Sequence, residues 1–103
     1  MEKKANKYRL TLELIATAKG ETGIHDPLQL DFDNHDEIFS IIKRIQDKNL
    51  FQSKEQAAEF AIGLKLFSEV MLKNRNLSLF EEFRPAFGNF MKKLKEIPAA
   101  EQQ

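Results

Sequence analysis

The chain has 103 residues, 42% hydrophobic and 31% charged, with 16 Lys and Arg against 16 Asp and Glu and no Cys. That length supports one domain with a small core, and the absence of Cys excludes disulfides, thiolate nucleophiles and Cys-ligated zinc or iron–sulfur sites. Zero net charge argues against a coat for nucleic acid or an anionic membrane, which needs a basic excess to release counterions.

The basic start, Met1 to Lys7, leads into alternating apolar residues rather than a continuous apolar run, so no signal peptide is expected. No 18-residue apolar stretch follows, and the expected location is the cytoplasm, without membrane association. Neutrality conceals segregation: residues 1–9 carry +3, residues 10–40 carry −6, residues 41–75 carry +3 and residues 76–103 carry 0. The acidic block is the asymmetry to follow.

Tyr8, Leu10, Leu12 and Leu14 alternate with Arg9, Thr11 and Glu13, the period-two pattern of a strand with one buried face. Leu28, Leu30 and Phe32 alternate with Gln29, Asp31 and Asp33 in the same way. Gly20, Gly23 and Pro27 lie between them, so the two strands read as an antiparallel hairpin with a long connection over 17–27.

Asn34 with Glu37 has the spacing of a capping box ahead of a first helix, whose stripe is Ile38, Ile41, Ile42 and Ile45. Ser53 with Gln56 repeats the device and opens a second helix over 54–74. Two apolar stripes mark this helix as central: Phe60, Ala61, Leu64, Phe67 and Met71, then Ala58, Ile62, Leu66 and Val70. Ile62 and Leu66 fall inside its charged arc, which calls for something to cover them.

Ser78 with Glu81 gives a third capping box, after which Phe80, Phe83, Phe87, Phe90, Leu94 and Ile97 recur at helical spacing. The phase runs through Pro85, so a continuous third helix kinked near that proline is the reading; the alternative starts a new helix with Pro85 at its first position. The expected fold is α+β, a hairpin followed by three helices (ββααα). One domain spans 8–97, between a flexible N-terminus at 1–7 and a disordered tail at 98–103.

Three segments, LQLDFDNHDEIF at 28–39, GLKLFSEVMLKNR at 63–75 and LFEEFRPAFGNFMKKLK at 79–95, resemble a family of small bacterial proteins, the domain-of-unknown-function family DUF3861. The resemblance covers residues 8–95. It implies a compact bacterial α+β protein, and it brings no activity, cofactor or catalytic residue to carry over.

The one gathering of metal-capable side chains is Asp31, Asp33, His35 and Asp36, with His25 and Asp26 across the hairpin. Carboxylates with a histidine suit Zn, Mn or Fe. An EF-hand loop starting at Asp31 is excluded, because its sixth position would be Asp36 instead of Gly and its twelfth Ile42 instead of Glu. The same residues also fit a solvated strand face and acids at a helix N-terminus, which offset the macrodipole. Imidazoles serve as general acids or bases, but no Ser or second base stands at a supporting spacing from His25 or His35, so no catalytic residue is assigned. Gly20 and Gly23 match no phosphate-binding loop.

Lys92, Lys93 and Lys95 with Arg84 could contact phosphates, yet Glu81, Glu82 and Glu96 dilute that field, and nucleic acid is disfavoured. Phe80, Phe83, Phe87 and Phe90 read as core, with anchoring in a partner's groove as the functional alternative. A hairpin is marginal alone, and its strands have free edges. The expected function is therefore a non-catalytic protein-interaction module, a homodimer joined by strand edges or by Ile62, Leu66 and Val70, with a further protein partner open. No cofactor is expected. The competing reading is a metal- or small-molecule-binding protein with its site at the acidic end of the hairpin and the start of the first helix.

Overall fold

A computed structural model describes residues 4–100, and the outer parts of the two expected terminal segments lie outside them. Strand β1 (Asn6–Leu12) pairs antiparallel with β2 (Leu28–Asn34), and helices α1 (Ile38–Asp47), α2 (Lys54–Lys73) and α3 (Phe83–Glu96) follow. This is the expected α+β order, ββααα. The chain divides into two compact units, the hairpin up to Asp36 and the helices from Glu37 onward.

In the hairpin, Tyr8 faces Phe32, Leu10 faces Leu30 and Leu12 faces Leu28, while Lys7, Arg9 and Thr11 face Asp33, Asp31 and Gln29. Alternation thus assigns one face to apolar and the other to polar side chains. The Tyr8 and Phe32 rings stack at 5.4 Å. Asn6 and Lys7, expected in a flexible segment, already belong to β1, and Leu14 lies beyond its end. In the connection, Glu21 N–H donates to Thr17 Oγ1 at 3.0 Å and Gly20 N–H to the Thr17 carbonyl at 2.9 Å. Gly20 closes this turn at φ 87°, a region open to glycine and costly for a side chain.

Helix α1 begins differently from the expectation. Glu37 is its N-cap and accepts from the Ser40 N–H, whereas Asn34 ends β2 and accepts from the Asp36 N–H at 2.9 Å. A short amide side chain closes a local turn two residues on, which competes with capping. His35 therefore lies in that bend and not in the helix. At the other end Asn49 takes φ 56°, the left-handed position that Asn tolerates past a helix terminus.

Ser53 caps α2 as expected, accepting from the Gln56 N–H at 3.0 Å. Its last turn is closed by Asn74, whose side-chain amide donates to the Val70 carbonyl at 2.7 Å. Ser78 makes no such cap. Residues Ser78–Phe80 form a separate 3-10 turn, and α3 starts afresh at Phe83. Pro85 is then the third residue of α3, inside the first turn, where a missing amide hydrogen leaves no acceptor unpaired. The proline calls for no kink because only Phe83 and Arg84 of the helix precede it, and no intrahelical acceptor awaits its nitrogen.

Ile45, Ala57, Ala61 and Leu94 form the buried centre of the helical unit, with Ile41, Ile42, Phe60, Leu64 and Met91 packed around them. Phe60 meets Phe90 at 6.2 Å, and Phe67 meets Phe83 at 5.8 Å and Phe87 at 6.1 Å. That pairing, with rising numbers on α2 against falling numbers on α3, makes the two helices antiparallel. Beyond α3, the Ala100 N–H donates to the Asp47 carbonyl at 2.7 Å, and Lys48 Nζ donates to the Ile97 carbonyl.

Candidate functional site

The acidic residues at the hairpin end are engaged locally. Arg9 donates from Nε and Nη2 to the two oxygens of Asp31 at 2.8 and 3.0 Å, and Lys7 Nζ lies 3.9 Å from Asp33. The bidentate Arg9 guanidinium holds the Asp31 carboxyl below its ordinary value, and Asp31 in turn raises Arg9. His35 and Asp36 are exposed, and their carbonyls accept from Asn6 Nδ2 at 3.4 and 3.1 Å. Tyr8 donates its hydroxyl to the Asp36 carbonyl at 2.8 Å. His25 and Asp26 precede Leu28 at the other end of β2, about 20 Å from Asn34 at the rise of an extended strand. Among the described residues, no three His, Asp or Glu side chains gather to hold one metal ion.

The hairpin's other face is apolar and largely uncovered. Leu12, Leu28 and Leu30 are 66%, 54% and 47% exposed, whereas Tyr8, Leu10 and Phe32 are half-buried. On α2, Ile62 and Leu66 are half-buried and Val70, one turn on, is 54% exposed. The spacing of four places all three on one side of the helix, turned away from buried Ala57, Ala61 and Ser68.

A third feature lay hidden in the aromatic stripe. Phe60, Gly63, Leu64 and Phe67 of α2 and Phe83, Ala86, Phe87 and Phe90 of α3 line an open groove of about 600 Å³, with Glu59 as its one charged residue. Phe80 is buried, but Phe67, Phe83 and Phe90 remain 43–44% exposed. Large rings meeting edge-on hold the helices apart, while Gly63 and Ala86 leave the space between them unfilled. Helical spacing identifies the face that meets the neighbour; the separation of the two axes depends on the side chains opposite.

No helix among the described residues is long and apolar enough to cross a membrane. The chain is similar to a protein of unknown function from Pectobacterium atrosepticum, known from a crystal structure. Identity is 34%, with 90% of this chain and 99% of that one covered and a TM-score of 0.76. A search of curated proteins finds no match. Residues 6–96 match the family described as Domain of Unknown Function with solved-structure structure, and the chain belongs to that family, DUF3861.

Proposed function

We propose that the chain is a non-catalytic interaction module that associates with a second copy of itself through the apolar face of the hairpin. The observation that carries this reading is the exposure of Leu12, Leu28 and Leu30 on one face of a sheet of only two strands. A lone hairpin gains little stability, and both strands keep an unpaired edge that a second chain can meet. Contiguous leucines in water cost free energy that burial against a partner recovers, at about 25 cal/mol per Å². The opposite face is closed to such use, since Lys7, Arg9, Asp31 and Asp33 already pair across the strands. Val70, with Ile62 and Leu66 beside it on α2, offers a second face for the same association.

A metal-binding role at Asp31, Asp33, His35 and Asp36 has less support. A cation would have to displace Arg9 from Asp31 and draw together side chains that now stand apart. Sedimentation of the chain and of Leu30→Glu and Leu66→Glu variants tests the reading. The unmodified chain is expected to have the mass of two 12.0 kDa copies, and Leu30→Glu that of one. Loss of the dimer only in Leu66→Glu moves the interface to α2. A monomer of the unmodified chain at all concentrations overturns self-association.

A further inference from the structure

The geometry points to the α2–α3 groove as a binding site for a small amphiphilic cation, an aryl- or alkylammonium whose apolar body lies on Phe60, Phe67, Phe83 and Phe90 and whose charge faces Glu59. A groove of about 600 Å³ falls within the range of about 300–1,000 Å³ typical of small-ligand sites. Its lining is apolar except for Glu59, and that exception sets the ligand's charge. Among the described residues Glu59 takes part in no ion pair. One turn further on, where a basic residue would reach it, stands Gly63 without a side chain.

Three kinds of occupant can be compared. A neutral apolar molecule in the groove would draw nothing from the exposed Glu59 carboxylate beside it. An anion would add repulsion. A cation meets both the carboxylate and the negative faces of the phenylalanine rings. This site is independent of the hairpin face used for self-association.

The test is a titration of the isotope-labelled full chain, following the Gly63 and Ala86 amides by NMR. The probes are benzyltrimethylammonium, benzyl alcohol and phenylacetate, one ring type with positive, neutral and negative substituents. Saturable shifts at both amides are expected with the cation, weaker ones with the alcohol and none with phenylacetate. Glu59→Gln, at an exposed position, should weaken the cation about fivefold and leave the alcohol unchanged. Equal binding of all three probes overturns the proposal, as does undiminished cation binding by Glu59→Gln. So do groove shifts that follow protein concentration instead of probe concentration, because they assign the groove to a second copy.

Discussion

Arg9 and Asp31 stand directly opposite each other in the hairpin, joined by two parallel hydrogen bonds of 2.8 and 3.0 Å. The pair commits one face of the sheet to water and leaves the leucine face as the one that must find cover. It also carries a pH signature. The folded pKa of Asp31 lies below its unfolded value, so the pair's stabilisation is present above the ordinary carboxylate range, near 3.8, and is lost as pH falls through the depressed folded value. Thermal melts between neutral pH and pH 2 should show that loss in the unmodified chain and less of it in Asp31→Asn. Both groups are fully exposed, so the effect is small and high salt should erase it.

The engagement of Asp31 by Arg9 bears on metals as well. Adding Zn, Mn, Ca or Mg should leave the melting temperature unchanged, since a site bound in the folded state would raise it by mass action. A rise that Asp31→Asn abolishes would restore the metal reading.

Capping offers a paired comparison. Ser53→Ala removes the acceptor of the Gln56 N–H and should cost about 1 kcal/mol. Ser78→Ala, in the same sequence pattern, should cost little, because Ser78 makes no side-chain cap. Denaturant unfolding of the two variants distinguishes them.

Gly63 and Gly88 lie inside helices, and beyond the helix's own local backbone no atom stands within 4 Å of an added Cβ. Replacing either by Ala should stabilise the fold by up to about 1 kcal/mol, visible as a melting temperature several degrees higher. In the core the sign reverses. Ile45, 3% exposed beside Ala57 and Ala61, should lose about 2–5 kcal/mol on truncation to Ala. Phe39, at 69% exposure, should lose far less.

The element order was legible because each element carries its own period: two in Tyr8–Leu12 and Leu28–Phe32, and three to four in the isoleucines of α1 and the phenylalanines of α3. Ser53 was legible for the same local reason. Asn34 and Ser78 were not, since a capping pattern states which bonds a side chain could make and tertiary context selects among them. Asn34 closed a turn, and Ser78 entered a 3-10 turn ahead of a new helix. The groove escaped because Phe67, Phe83 and Phe90 follow core spacing while remaining partly in water. The only hint was small Gly63 and Ala86 set among large rings. The unshared charge of Glu59 became informative only once those rings were seen around it.

The most direct test of self-association is an isotope-filtered NOE experiment on an equal mixture of labelled and unlabelled chains. Intermolecular NOEs to the methyl groups of Leu12, Leu28 and Leu30 are expected. A mixture whose leucine methyls show only intramolecular contacts, at concentrations where the chain is fully folded, would contradict self-association.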